Sequence, residues 1–77
     1  MNNNGIIDEK CLHDFHAIAL RVLSSSDKSV VAFEENWKIK NYRVAYLIYF
    51  EERDRIKAHL SDSEKKIETE FYWVFVN

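Results

Sequence analysis

The chain has a single glycine, Gly5, and no proline, so residues 6–77 contain neither. Loops that bind phosphate depend on glycine, because a residue without a side chain lets backbone N–H groups approach the ligand at positive φ. P-loops, dinucleotide-binding fingerprints and the tight turn that carries a nucleophilic serine are therefore excluded. Any function has to come from side chains displayed on regular elements.

The length of 77 residues fits one small domain, since separate cores usually need more than about 100 residues each. We expect residues 1–6 to be a flexible polar leader and residues 7–77 to form the domain. Because 47% of the residues are hydrophobic, the chain can bury enough surface to fold. A domain of this size leaves much of its surface exposed, which favours a homodimer.

The charges are nearly balanced, with 11 Lys and Arg against 13 Asp and Glu. They are spread evenly, so there is no basic cluster of the kind that binds nucleic acid non-specifically. The single cysteine cannot form an internal disulfide, which is typical of a reducing compartment. No apolar stretch approaches the roughly 18 residues of a membrane span. We expect a cytoplasmic protein without a membrane partner.

The first predicted element is an amphipathic helix over approximately Asp8–Ser24. Its apolar side chains recur at helical spacing and form one core-facing stripe. Asp8 is the expected N-cap, and Ile7 and Leu12 have the spacing of a hydrophobic staple.

After Lys28 the apolar residues alternate with a period of two, which favours β-strands. Alternation is clearest in Tyr42, Val44, Tyr46, Ile48 and Phe50, and again in Ile67, Thr69, Phe71, Trp73 and Phe75. A turn or a bulge is expected at Lys40–Asn41, and a turn at Ser61–Glu64. The sequence therefore predicts an α+β fold of two layers, in which the N-terminal helix packs on a three- to four-stranded antiparallel β-meander.

The outer face of this predicted sheet is unusually apolar, whereas a solvated face should be polar. Such a face is typical of a surface that contacts another chain. The predicted interface residues are Leu47, Tyr49, Arg55, Tyr72, Val74 and Val76. With no catalytic constellation and no family-specific motif, we expect no enzyme. The favoured function is a small protein-binding module that occupies a partner's surface, as an inhibitor, immunity protein, antitoxin or phage host-defence antagonist does.

Two other functions stay open. Aromatic side chains beside cations can stack on single-stranded bases. The residues for such nucleic-acid contacts would be Trp37, Lys38, Lys40, Tyr42 and Arg43. Alternatively, a cystatin-like domain could bind a small ligand in a pocket that only a dimer would be large enough to build. That pocket would be lined by Trp37, Tyr46 and Trp73.

Three potential metal ligands, Cys11, His13 and His16, fall within six residues. On a regular helix Cys11 points about 200° away from His13, so the three cannot converge on one ion. We expect Cys11 to be a buried, inert thiol and the histidines to lie on a solvated helix face. No metal or other cofactor is predicted.

Overall fold

A computed structural model describes the backbone of residues 3–77 and the side chains from residue 9 onward. Every regular element in this part of the chain is helical. The helices are α1 (Asn3–Leu23), α2 (Asp27–Lys38), α3 (Tyr42–Ile56) and α4 (Asp62–Phe71), followed by a π-helical segment, Tyr72–Val76, here called the π segment.

The predicted N-terminal helix is confirmed: α1 begins earlier than predicted, at Asn3, and ends at Leu23, one residue before the predicted end. Its core-facing stripe includes Cys11, Phe15, Ile18 and Val22, which are all buried. Because α1 begins at Asn3, Asp8 lies within the helix and is not its N-cap. The flexible leader (residues 1–6) stays a prediction, and the side chain of Ile7, on which the staple depends, lies outside the described part of the chain.

The predicted α+β fold is wrong, since residues 3–77 contain no β-strand and no sheet. The segments expected to form the meander lie in α2, α3, α4 and the π segment. Side-chain caps explain where two of these helices begin. Ser26 accepts a hydrogen bond from the backbone N–H of Ser29 at the start of α2. At the start of α4, Ser61 and Glu64 form a capping box, so the predicted turn at Ser61–Glu64 is the first turn of a helix.

The alternating pattern of α3 has a physical explanation. At the helical period its inward positions are Ala45, Tyr49 and Glu52, which are all buried. Apolar residues also occupy its outward positions, so the helix is hydrophobic on two sides and its sequence alternates by coincidence. The apolar residues of α3 therefore alternate as in a strand, because the outward side of this helix is apolar as well as its buried side.

Two lysines take the place of glycine at helix ends. Lys40, after α2, has φ 62° and Lys57, after α3, has φ 50°, both in the left-handed region. Glycine favours this conformation, whereas a residue with a Cβ adopts it at a cost of about 1–2 kcal/mol. The turn or bulge predicted at Lys40–Asn41 is a turn, and it joins two helices instead of two strands.

An aromatic cluster built around Phe15 forms the core. The Phe15 ring is fully buried and stacks on Phe71 with 4.0 Å between centroids. Tyr49 meets it edge-on at 4.8 Å, and Phe33 and Trp37 lie at 6.4 and 6.0 Å. Since these rings come from all four helices, each helix is held in place by the same cluster.

Candidate protein-binding surface

The outward side of α3 carries the first part of the candidate surface. At about 100° per residue, Leu47 lies opposite Tyr49 and the other buried positions of the helix. Leu47 is 52% exposed, and Val44 and Phe50 beside it are also exposed. We call this side the α3 outer face; its residues are Arg43, Val44, Leu47, Phe50, Glu51 and Asp54.

A groove of about 260 Å³ lies between α3 and the π segment. We call it the π groove; it is lined by Arg43, Tyr46, Leu47, Tyr72, Val76 and Asn77. Arg43 closes one side, where its Nη2 donates a hydrogen bond to the carbonyl oxygen of Val76 at 3.3 Å. Since Arg43 and Leu47 belong both to the groove and to the α3 outer face, the two form one continuous surface.

A row of aromatic rings extends this surface from α3 onto the π segment. Phe50 stacks on Tyr46 at 5.8 Å, and Tyr46 packs against Tyr72 at 5.4 Å. Tyr72 in turn meets Trp73 edge-on at 5.5 Å, and Trp73 is 61% exposed. The Arg53 guanidinium lies 5.2 Å from the Phe50 ring centre, a cation–π arrangement. The surface therefore combines apolar rings with positive charge.

A buried polar cluster joins the inner side of α3 to α4. The hydroxyl of Tyr49 donates a hydrogen bond of 2.6 Å to Oε2 of Glu68 on α4. Nε of Arg53 lies 2.7 Å from the same oxygen, but its N–H is not aligned with it, so this contact is an ion pair without hydrogen-bond geometry. Burial, followed by the bond to Glu68, raises the pKa of Tyr49 far above its ordinary value. The phenol therefore stays protonated and acts as a structural donor.

The six predicted interface residues occupy different environments. Leu47, Tyr72 and Val76 are brought together around the π groove, although Val76 is mostly buried. Val74 is exposed on the π segment. The other two contribute little to this surface. Tyr49 is fully buried in the core, and the exposed Arg55 is bound by Glu52 through contacts of 3.1 and 2.6 Å. The sheet face that grouped all six does not exist in residues 3–77.

The residues predicted for nucleic-acid contacts lie partly in the core and partly at the surface. Trp37 packs nearly parallel to Phe33 and Phe71, at 5.3 and 5.5 Å, and meets Tyr42 edge-on at 4.9 Å. Its ring is therefore used within the core instead of being presented to a nucleotide. Lys38 and Lys40 are exposed at the end of α2, whereas Arg43 lies on the α3 outer face.

The histidines and Cys11 do not form a metal centre. In the part of the chain described here, no three potential ligands lie close enough to hold an ion. Cys11 is buried, and His13 lies on an open, polar part of α1. Nε2 of His16 is 2.7 Å from Oε1 of Glu34, and its ring packs on Trp37 at 5.1 Å. His16 therefore links α1 to α2.

The cystatin-like pocket requires a curved sheet, and residues 3–77 contain none. Tyr46 and Trp37 both pack against Phe15, at 6.1 and 6.0 Å, whereas the side chain of Trp73 is mostly exposed. The three residues predicted to line that pocket therefore lie partly in the core and partly at the surface.

No protein-family model matches this chain, and no curated protein or solved structure resembles it significantly. Within the described residues, none of the helices has the length and apolar character needed to cross a membrane. Function has to be inferred from the residues themselves.

Val44, Phe50 and Glu51 are exposed but were not among the predicted interface residues. In a strand, Val44 and Phe50 would lie on the face opposite Leu47, so the predicted sheet could not bring them together with it. The spacing of Arg43, Leu47 and Glu51, four residues apart, is the signal that places them on one side of a helix.

Proposed function

We propose that this protein is a non-enzymatic protein-binding module. Its recognition surface would be the α3 outer face together with the π groove and Trp73. One observation carries the proposal: Leu47, Phe50 and Trp73 remain 52%, 39% and 61% exposed although the chain has a well-packed aromatic core. Soluble domains rarely leave a contiguous apolar patch uncovered unless it contacts a partner.

The composition of this surface supports a protein as the ligand. Aromatic residues and arginine are enriched at the centres of protein interfaces, where they dominate the binding energy. Here Phe50, Tyr72 and Trp73 supply the rings, and Arg43 supplies a cation at the edge of the π groove. The groove volume of about 260 Å³ lies below the range of about 300–1,000 Å³ that is usual for small-molecule sites, which favours a protein over a small ligand.

The buried carboxylates argue against a catalytic role. Glu68 is held by Tyr49 and Arg53, and Glu52 is held by Arg55. A carboxylate that is fully engaged in the core is not available as a general acid or base. The protein would act by covering a partner's surface, as inhibitors, immunity proteins and antitoxins do. A reducing, cytosolic compartment fits its single cysteine.

The experiment is site-specific photo-cross-linking in the source cell. A benzophenone amino acid replaces Leu47 in one variant and Val31 in the control variant. Val31 lies on α2, and its 56% exposure matches the 52% of Leu47. We expect a protein adduct of defined mass at position 47 and little or none at position 31. No adduct at position 47, or equal adducts at both positions, would overturn the proposal.

A further inference from the structure

We propose that the α3 outer face binds the same face on a second copy of this chain, with the two α3 helices antiparallel. The inference rests on the proposed function and names the partner. It comes from the order of side chains along the outer face. Arg43, near the start of α3, is followed one turn later by Leu47 and one turn after that by Glu51.

This order is self-complementary in an antiparallel pair. If two copies of Leu47 meet on a two-fold axis, Arg43 of each copy lies opposite Glu51 of the other. The same pairing sets Val44 opposite Phe50 of the second copy, so that the exposed apolar side chains meet each other. All four of these flanking residues are exposed in the single chain.

On the α3 outer face, Arg43 lies in the first turn of the helix, whereas Glu51 and Asp54 lie in its second half. In a parallel pair Arg43 would meet Arg43 and Glu51 would meet Glu51, and such like-charge contacts oppose association.

A charge-reversal experiment tests this register. In the antiparallel pair, Arg43→Glu sets two glutamates opposite each other at both ends, and Glu51→Arg sets two arginines opposite each other. Either variant alone should associate at least about tenfold more weakly than the parent chain. Mixed in equal amounts, the two variants should form a heterodimer, because every contact then joins opposite charges.

Sedimentation equilibrium at concentrations up to about 1 mM, a range that covers weak interfaces, gives the readout. The parent chain and the control Lys65→Glu, an exposed site on α4, should approach twice the 9.2 kDa chain mass. Each single variant should stay near 9.2 kDa, and the mixture should recover the doubled mass. Because Glu51→Arg leaves the bond between Arg43 and Val76 in place, its loss of association cannot come from a displaced π segment.

Two results would overturn the inference. One is a parent chain that stays at the monomer mass throughout; the other is a mixture that associates no better than its components. Failure here is separable from failure of the proposed function. If position 47 cross-links to a protein of another mass while the parent chain stays monomeric, the α3 outer face binds a foreign partner and the inference alone falls.

Discussion

The hydroxyl of Tyr49 is the group through which α3 is hydrogen-bonded to α4, and Tyr49→Phe removes it alone. The bond to Oε2 of Glu68 is 2.6 Å long, and both residues are buried. The ring stays, together with its edge-on contact to Phe15 at 4.8 Å, so no cavity forms. The substitution therefore isolates one hydrogen bond to a buried carboxylate.

The magnitude follows from the charge of the acceptor. Hydrogen bonds to charged groups contribute about 1.5–3 kcal/mol, so we expect the free energy of unfolding to fall by about 2 kcal/mol. A domain of this size rarely has more than about 3–5 kcal/mol in total, so the loss should be conspicuous. The assay is urea unfolding followed by circular dichroism. With a slope of about 1 kcal/mol per molar urea, the midpoint should drop by about 2 M.

Tyr46→Phe is the matched control, since Tyr46 lies one turn away and is only partly buried. We expect that variant to lose about 0.5 kcal/mol or less, as is usual away from buried polar groups. If Tyr49→Phe loses no more than Tyr46→Phe, the bond to Glu68 does not stabilise the fold, and the account of how α3 is fixed is wrong.

Four further outcomes are expected. The pKa of Tyr49 is raised above its ordinary value of 10.0, so the stabilisation from its hydroxyl should be fully present below about pH 10 and fall as the pH rises further. In urea titrations at different pH values, Tyr49→Phe should flatten this alkaline decline. Ser61→Ala should cost about 1 kcal/mol in thermal unfolding. The backbone N–H of Ser61 lowers the pKa of Glu64, so the stabilisation from that carboxylate is present above its ordinary pKa and is lost as the pH falls through its lowered pKa. Glu64→Gln should remove this loss of stability at acidic pH. Lys57→Gly should stabilise the chain by about 1 kcal/mol, measured in the same way, because φ 50° favours glycine; a destabilised variant would contradict the left-handed end of α3.

The sequence predicts α1 well because its apolar residues fall on one side and polar residues cover the other. It fails at α3, where Ala45 and Tyr49 face the core while Leu47 and Phe50 face outward. Apolar residues on both sides erase the helical period, and the β-branched and aromatic composition then favours a strand. The outward apolar residues that cause this wrong prediction are the ones that form the candidate binding surface.

Two signals for a helical fold are nevertheless present in the sequence. Strand hairpins depend strongly on glycine at their turns, and residues 6–77 contain none. Ser61 followed by Glu64 is a capping box, which marks the start of a helix. The candidate site is predictable only in part: Leu47 and Tyr72 can be identified from the excess of apolar residues. In contrast, a strand with a period of 2 places Tyr49 on the same face as Leu47, whereas the helical period of 3.6 places it on the opposite, buried side.

The most direct test of self-association through α3 is the exposure of the Leu47 methyl groups, measured by NMR with a soluble paramagnetic agent. At low protein concentration the agent should broaden the methyl signals of Leu47 and Val31 equally, since the two side chains are 52% and 56% exposed. As the concentration rises, Leu47 should become protected while Val31 stays broadened. Equal broadening of both residues at every concentration would contradict the account.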